Sequence, residues 1–359
     1  MSHLVIMAAG TGGHIIPGLA VAKEMQSRGW TISWLGTREG MENRLVPAAG
    51  IALDSIGFSG LRGKGLVHTL TGGVRLLKAF WECLALFRRR SADAVLGMGG
   101  YVCFPGGLMA SLLGKPLLLV NADASLLLSN KALLPVADRI AFGFDGAAAT
   151  THKRAVVTGN PVREEIEAMP DPAQRYAGRS GPLDVLVVGG SLGAKVLNDT
   201  LPQALALIEP AQRPRVTHQT GALQRDGVRE AYTAAGVNDG LEVLAFIDNM
   251  ADRLATCDLM ICRAGAVTVS ELCAGGVPAL LVPLVISTTA HQRDNAEFMA
   301  RHGAARHLPQ AQLDAESLAQ LLASVDRDAL RQMAERARAL ARPHAAERVA
   351  DQIEQLVAA

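Results

Sequence analysis

Residues 4–14 read LVIMAAGTGGH, an apolar run that passes directly into a glycine-rich turn. This pattern is typical of a buried parallel strand followed by a tight turn and a helix. Such a turn directs backbone N–H groups and the positive end of a helix dipole towards one point, which suits a phosphate group. The stretch therefore predicts an α/β fold with an anion-binding site at its first strand-to-helix connection.

The second half of the chain begins with a stretch of the same kind. Residues 185–194 read VLVVGGSLGA. In both halves, short apolar segments alternate with helical ones, which is typical of doubly wound parallel sheets. A polar stretch at 160–182 predicts a linker. We therefore expect two Rossmann-like domains, at 1–160 and 161–340, and a C-terminal helix at 341–359 that packs back on the first domain.

Composition narrows the class of protein. The 359 residues suit two domains, and the net charge of +1 argues against nucleic acid as the main partner. The N-terminus is typical of a strand and not of a signal peptide, and no apolar run reaches the roughly 20 residues that span a bilayer. The five cysteines lack C-x-x-C spacing, which favours reduced thiols in a cytoplasmic protein.

The sequence gives no sign of a metal centre. No set of histidine, cysteine and carboxylate residues has the spacing of metal ligands. The one Asp-x-Asp, Asp326 to Asp328, stands at the start of a predicted helix, where capping explains it better. We expect no metal and no cofactor, with helix dipoles and arginine balancing the charge of any bound phosphate.

Three features could carry chemistry, and the first two have a plain structural alternative. A helix N-terminus disfavours a charged imidazole, so His14 should stay neutral and able to accept a proton; it could equally cap or pack the helix. Glu271, one turn into a predicted helix, could accept two ribose hydroxyls or merely favour the helix dipole. The segment 246–250 could present an apolar wall to a flat base, although this signal is weak alone.

The segment 76–90 predicts an amphipathic helix with a basic end. The helix could contact an anionic membrane surface, or it could simply pack on the sheet with a solvated end. The residues that we assign to membrane contact share helical spacing or positive charge: Leu76, Leu77, Phe80, Trp81, Leu84, Arg88 and Arg89.

Taken in order, the motifs of this chain closely resemble the MurG family of bacterial GT-B glycosyltransferases over essentially the whole length. The stretches that carry the resemblance lie at 10–14, 59–65, 97–101, 158–163, 189–194, 246–250 and 263–271. The resemblance implies two Rossmann-like domains facing across a cleft. It also implies an inverting, metal-independent transfer of GlcNAc from UDP-GlcNAc to the C4 hydroxyl of the muramyl sugar of lipid I, giving lipid II and UDP.

The family's role suggests where such a protein works. The resemblance implies peptidoglycan synthesis, with consequences for cell shape and division, by a peripheral protein on the cytoplasmic side of the bacterial inner membrane. The implied partners are UDP-GlcNAc, the undecaprenyl-linked muramyl pentapeptide lipid I, an anionic membrane surface, and other cell-wall and division proteins. Nucleic acid is not among them.

The resemblance also assigns site residues. For the donor diphosphate it implies Ser191 with Arg163 nearby; for uracil, Phe246, Ile247 and Met250; for the donor pocket, Ala266, Val267 and Thr268; for ribose, Glu271; for GlcNAc, Gln292 and Asn295. The acceptor diphosphate would meet Gly10, Thr11, Gly12, Gly13 and His14, with Gly100 and Tyr101. We also assign Thr11, Gly12, Gly13 and Asp123 to UDP-GlcNAc. His14 is the candidate general base and Asp123 the alternative.

Two departures from the family pattern affect the acceptor side. Residues 120–123 read VNAD where many relatives have His-Glu-Gln-Asn, and Ser287–Ala290 replace a segment that often carries an acidic pair before His291. They put Asp123 and His291 in doubt as site residues. Two other functions therefore stay open: another UDP-sugar enzyme, with a different acceptor or acting as an epimerase, and a donor-binding paralogue that has lost catalysis.

Overall fold

The computed structural model describes residues 1–10, 12–58, 66–190, 192–284 and 290–359. The chain forms two compact units, the N-terminal unit of residues 1–162 and 343–359 and the C-terminal unit of residues 163–342. Both are α/β, with one parallel sheet each. In the described part of the chain, no helix is long and apolar enough to cross a membrane.

The N-terminal unit contains a seven-stranded parallel sheet in the order β3-β2-β1-β4-β5-β6-β7. Its strands are β1 His3–Ala8, β2 Thr31–Thr37, β3 Ala52–Ile56, β4 Ala94–Gly99, β5 Leu117–Asn121, β6 Arg139–Phe142 and β7 Ala155–Val157. Its helices are α1 Gly12–Ser27, α2 Glu42–Ala48, α3 Leu66–Arg90, α4 Cys103–Leu112, α5 Leu128–Leu133 and α6 Ala147–Thr151, and it is completed by the last helix of the chain.

The first strand explains why this sheet is covered on both faces. Successive strand residues point to opposite faces, so an entirely apolar strand must be buried on each side. Val5 and Met7 of β1 belong to a core with α3 and α4, whereas Leu4 and Ile6 belong to a core with α1 and the last helix. The apolar run at the start of the chain therefore fixes a three-layer arrangement.

The C-terminal unit repeats this architecture with six parallel strands in the order β10-β9-β8-β11-β12-β13. Its strands are β8 Asp184–Val188, β9 Arg215–Gln219, β10 Leu241–Leu244, β11 Leu259–Cys262, β12 Ala279–Leu281 and β13 Ala305–His307. Its helices are α7 Glu164–Glu167, α8 Pro172–Tyr176, α9 Lys195–Ala206, α10 Arg225–Ala234, α11 Met250–Thr256, α12 Ala266–Gly275, α13 His291–Arg301, α14 Ala315–Ser324 and α15 Arg327–Ala339.

The last helix, α16 Ala345–Ala358, belongs to the N-terminal unit. Its Val349 and Ile353 are fully buried in the same core as β1 and α1. The Arg28 guanidinium, just after α1, donates to Asp351 at 2.7 Å and to Glu354 at 2.8 Å. The two ends of the chain therefore fold into one unit.

The predicted linker at 160–182 is wrong from Arg163 onward, because this segment packs into the C-terminal unit. The buried Arg175 guanidinium donates to the carbonyls of Gly275 and Gly276, and the Tyr176 hydroxyl donates to the Asp258 carbonyl at 2.6 Å. A polar composition suggested solvent exposure, yet these polar atoms bond to buried backbone. The chain passes from one unit to the other at residues 162 and 163.

In both sheets the order of the strands reverses at the strand that precedes the glycine turn. In the N-terminal unit β1 lies between β2 and β4, and in the C-terminal unit β8 lies between β9 and β11. Ligands of doubly wound sheets bind at the carboxyl ends of strands at such switch points. The turn after β1 and the turn after β4 therefore form one candidate site, and the turns after β8 and β11 form another.

Candidate active site

The first glycine turn and the turn after β4 are in direct contact. The Ala9 N–H donates to the Gly99 carbonyl at 3.4 Å. Gly99 and Gly100 have φ values of 125° and 91°, and a Cβ on Gly100 would lie 2.6 Å from the Ala9 carbonyl oxygen. Glycine is therefore required here both by backbone conformation and by the approach of the two turns. Tyr101, which follows them, is about half exposed.

His14 lies in the first turn of α1 with its ring against Gly99. A Cβ on Gly99 would come within 2.5 Å of the His14 Nδ1 atom, so any side chain there would displace the imidazole. The Nδ1 atom is buried, and among the described residues none forms a hydrogen bond with it. The imidazole thus fills the space that the absence of a side chain at Gly99 leaves open.

The protonation of His14 is set mainly by burial. Burial lowers the pKa of His14 below its ordinary value, while Asp123 and the Met98 carbonyl act in the opposite direction. A lowered pKa agrees with the expected neutral imidazole. Its largest cause is burial, because removing the charged ring from water disfavours the protonated form.

Asp123 stands on a loop that is fixed by buried amides. The Asn121 side chain donates to the carbonyls of Asp123 and Ser125 and accepts from the Leu127 N–H at 2.9 Å. The Asn160 amide donates to the Ala122 carbonyl at 2.8 Å. Residues 121–127 therefore keep a defined backbone path at the carboxyl end of β5 although they depart from the family pattern.

The second glycine turn is held tightly against the end of β9. The Gly193 N–H donates to the Gly190 carbonyl at 2.8 Å, and the Gln219 side chain donates to the same carbonyl at 3.0 Å. A Cβ on Gly193 would lie 1.9 Å from the Thr220 carbonyl oxygen, so only glycine fits. Helix α9 begins at Lys195, directly after this turn.

Arg163 and Glu271 form an ion pair in the C-terminal unit. The Arg163 Nε and Nη2 atoms both lie 2.8 Å from Oε1 of Glu271. Burial raises the pKa of Glu271, and the neighbouring guanidinium opposes that shift. Two residues predicted for one site and separated by more than a hundred positions are thus in direct contact.

The remaining predicted donor residues differ in accessibility. Ala266, Val267 and Thr268 form the first turn of α12, and Phe246 is exposed, whereas Ile247 is buried. Met250 begins α11. The Gln292 side chain accepts from the Leu284 N–H at 2.9 Å. Asn295 is fully buried and donates to the Ala264 carbonyl at 3.0 Å, so it holds the turn before α12.

Some predicted positions fall outside the described residues. These are Thr11 and Ser191 in the two glycine turns, the motif at 59–65, and Ser287–Thr289 in the second departure. Gly12 and Gly13, together with His14, form the first turn of α1. Among the described residues no group of three histidine, cysteine and acidic side chains could hold a metal ion. Asp326 caps α15, as its position in the sequence predicted.

The predicted membrane residues divide into two sets. Leu77 and Trp81 are 63% and 71% exposed on α3, and Val74, which sequence analysis missed, is 69% exposed on the same face. Leu76 instead packs against the core, and the Phe80 ring lies 6.4 Å from that of Phe104 on α4. For Leu76 and Phe80, packing on the rest of the unit is therefore the larger role.

The basic end of α3 is partly neutralised. Arg89 donates to Asp54 at 2.7 Å and Arg90 donates to the same carboxylate at 2.8 Å. Arg88 is exposed. The charge that this end presents to an external surface is therefore smaller than the sequence suggests.

Sequence analysis also missed Glu42, a buried carboxylate that accepts the Gly10 N–H at 3.1 Å. The only signal in the sequence was its position after Gly36 and Gly40, and spacing alone does not indicate contact with a turn 32 residues earlier.

Both halves of the chain are similar to domains of known proteins. Residues 4–142 match the Glycosyltransferase family 28 N-terminal domain, and residues 184–356 match the Glycosyltransferase family 28 C-terminal domain. A protein of Methylibium petroleiphilum is 74% identical over 99% of this chain and 98% of its own length. One of Chromobacterium violaceum is 65% identical over 98% of each chain. Both are named UDP-N-acetylglucosamine--N-acetylmuramyl-(pentapeptide) pyrophosphoryl-undecaprenol N-acetylglucosamine transferase.

Solved structures agree with this pattern. The crystal structure of Acinetobacter baumannii MurG is 39% identical, covers 99% of this chain and 100% of its own, and superposes with a TM-score of 0.86. The glycosyltransferase of kitacinnamycin, at 18% identity and a TM-score of 0.73, covers 99% of this chain and 98% of its own and shares the fold.

Proposed function

This chain belongs to glycosyltransferase family 28, and from that premise we propose that it transfers GlcNAc from UDP-GlcNAc to the C4 hydroxyl of the muramyl sugar of lipid I. The products are lipid II and UDP. The observation that carries the proposal is the 74% identity, over nearly the full length of both chains, to a relative named for this transfer. The GT-B fold, with two parallel-sheet units, supports it.

The C-terminal unit is the donor-binding unit of this proposal. The second glycine turn would offer backbone N–H groups to the diphosphate, with Ser191 and Arg163 beside it. Glu271 would accept the ribose hydroxyls, and the exposed ring of Phe246 would cover one face of uracil. The Arg163–Glu271 pair supports this arrangement, because it places the cation meant for phosphate within 2.8 Å of the carboxylate meant for ribose.

The N-terminal unit would bind the acceptor and supply the base. The acceptor O4 forms a bond to C1 of GlcNAc while the bond from C1 to the UDP oxygen breaks, and the hydroxyl proton passes to His14. UDP leaves with the bonding pair, and N–H groups at the second glycine turn and Arg163 stabilise the developing charge. One displacement of this kind inverts the anomeric centre. The lowered pKa of His14 supports the role, because a neutral imidazole can accept the proton.

Transfer can be tested directly with UDP-GlcNAc and a lipid I analogue. Formation of the lipid II analogue together with an equal amount of UDP is the expected result. Isomerised UDP-sugar without transfer would support an epimerase instead, and donor binding without turnover would support a paralogue that has lost catalysis. Turnover unchanged by EDTA is expected, since the proposed mechanism uses helix N-termini and arginine in place of a metal.

The location of the protein is part of the same proposal. The exposed apolar residues Val74, Leu77 and Trp81 support contact between α3 and an anionic membrane surface, on the cytoplasmic side of the inner membrane, where lipid I would be reached. Association with other cell-wall and division proteins follows from the family resemblance alone and stays a prediction.

A further inference from the structure

The Glu42 side chain is a buried anion placed under the first glycine turn. Its Oε2 atom accepts the Gly10 N–H at 3.1 Å, and its Oε1 atom accepts the Thr37 N–H at 3.0 Å and the Thr37 hydroxyl at 2.6 Å. Burial alone would raise the pKa of Glu42, but these hydrogen bonds lower it below its ordinary value. The carboxylate is therefore charged at neutral pH, and both of its oxygens accept hydrogen bonds from within the protein.

The space around this carboxylate is shaped by two glycines. A Cβ on Gly40 would lie 2.2 Å from Oε2 of Glu42, and a Cβ on Gly36 would lie 2.8 Å from its Cγ. Gly40 also has a φ of 151°. Gly36 and Gly40 thus approach Glu42 so closely that neither position could carry a side chain.

Gly10 is held through both of its peptide groups. Its N–H donates to Glu42, and its carbonyl accepts from the Met41 N–H at 3.4 Å. With φ at 98°, Gly10 is the point where the chain leaves β1, and α1 begins at Gly12. Only one residue separates Gly10 from the start of α1, and His14 lies in the first turn of that helix.

We propose that Glu42 is a positioning residue for the transfer reaction: its carboxylate fixes Gly10 and thereby the first glycine turn and His14. This inference rests on the proposed function, in which His14 accepts the acceptor proton. The proposal also gives the first glycine turn a feature of its own, because its Gly10 N–H already donates to the Glu42 carboxylate. The contacts of the acceptor diphosphate with this turn would then come from N–H groups beyond Gly10.

The substitution Glu42→Gln tests this proposal. A glutamine amide has one acceptor oxygen, so it can satisfy either Gly10 or Thr37 and must place its NH2 group against the other donor. We expect kcat to fall about tenfold to a hundredfold, as misplacement of a catalytic group does, with the KM for UDP-GlcNAc unchanged. The NMR pKa of the His14 imidazole should rise towards its ordinary value as the ring loosens and becomes hydrated.

Two variants serve as controls. Thr37→Val removes the hydroxyl that lies 2.6 Å from Oε1 of Glu42 and 2.5 Å from the Glu39 carbonyl. It leaves the Gly10 bond to Oε2, so it should lower the melting temperature while kcat and the His14 pKa stay near wild type. Glu39→Gln changes an exposed carboxylate of the same loop and should change neither.

The outcomes separate the two hypotheses. If Glu42→Gln keeps wild-type kcat and His14 pKa, or if both it and Thr37→Val lose activity in proportion to stability, the positioning role is overturned. If the wild-type protein forms no lipid II analogue, the proposed transfer fails instead, and the His14 titration of Glu42→Gln still decides whether Glu42 positions the turn.

Discussion

At the scale of single residues, the candidate site depends on functional side chains that lie directly against glycines. The His14 ring occupies the space beside Gly99, and the Glu42 carboxylate occupies the space beside Gly40. A larger residue at either glycine would displace the functional group directly. The glycines here do more than permit a turn, because they define where the titratable groups lie.

The pH dependence of turnover should report His14. The neutral imidazole is the active form of a general base, so the rate falls as pH drops through its pKa. Because that pKa is lowered, the midpoint of the fall in kcat should lie below about 6.5, where an ordinary histidine titrates. The measurement is a profile of kcat against pH with saturating substrates.

The variant Asp123→Asn distinguishes the two candidate bases. Asp123 raises the pKa of His14, so its neutralisation should shift the acid limb of the kcat profile to lower pH while turnover at pH 8 persists. If turnover at pH 8 is abolished instead, Asp123 is the base and the assignment of His14 is wrong.

Glu271 should determine whether the ribose 2′-hydroxyl is recognised. A hydrogen bond between a hydroxyl and a carboxylate contributes about 1.5–3 kcal/mol, which corresponds to roughly 10- to 100-fold in KM. Wild-type enzyme should therefore prefer UDP-GlcNAc over its 2′-deoxy analogue, and Glu271→Ala should lose the preference. Glu230→Gln, an exposed carboxylate on α10, is the control. An undiminished preference in Glu271→Ala would remove Glu271 from the ribose site.

At the scale of elements, α3 has one face that packs on its own unit and one face that is exposed. Leu76 and Phe80 hold it against the N-terminal unit, whereas Val74, Leu77 and Trp81 recur on its exposed side at helical spacing. Neighbouring exposed apolar side chains on one helix face are the kind of feature that an interaction surface would use. The basic end adds charge, although Asp54 compensates part of it.

Replacing the exposed apolar residues should release the protein from lipid. The double substitution Leu77→Gln and Trp81→Gln should lower binding to vesicles containing anionic lipid at least about tenfold, because each buried apolar side chain contributes about 1.5–3 kcal/mol. Vesicle sedimentation measures this. Leu207→Gln, which alters an exposed leucine of the C-terminal unit, should have no effect. Equal binding by all three proteins would leave α3 with a packing role alone.

At the scale of the whole molecule, each unit has its own core, and the C-terminal core contains a titratable group. His218 on β9 is fully buried, its Nδ1 atom lies 2.9 Å from the Tyr232 hydroxyl, and burial lowers its pKa to about 3. In the unfolded chain the same imidazole titrates near 6.5. Between these values the unfolded state binds a proton that the folded state does not, so stability falls as pH falls.

Acid should therefore destabilise the C-terminal unit through His218. The loss is about 1.4 kcal/mol per pH unit below 6.5, or about 2 kcal/mol at pH 5. Glutamine does not titrate and can still bond Tyr232, so the free energy of unfolding of His218→Gln should depend less on pH over this range. Urea unfolding at pH 7 and pH 5 measures both proteins. Parallel changes in the two would show that His218 is not responsible.

The sequence predicted the central strands well and the edge strands poorly. Strands β1 and β8 are buried on both faces, so they form continuous apolar runs that are easily recognised. Strands β3, β7 and β13 lack such runs, and all three lie at sheet edges, where ALDSI, AVV and ARH are short or partly polar. The position of these strands depends on pairing with neighbouring strands, and a local sequence pattern does not indicate that pairing.

The same contrast between local patterns and long-range contacts holds for the candidate site. The glycine turns could be predicted because a positive φ and a following helix are local properties. The Gly10–Glu42 and His14–Gly99 contacts could not, since they join residues separated by 32 and 85 positions. The burial that lowers the pKa of His14 likewise comes from long-range packing, such as the approach of Gly99, which the sequence does not show.

The placement of α16 has a consequence for the order of synthesis. The N-terminal unit contains residues 1–162 and 343–359, and Val349 and Ile353 fill its core. All of the C-terminal unit therefore leaves the ribosome before the helix that completes the unit begun first. The nascent N-terminal unit must wait, with part of its apolar core uncovered, until residues 345–358 emerge, whereas the unit translated second can close without them.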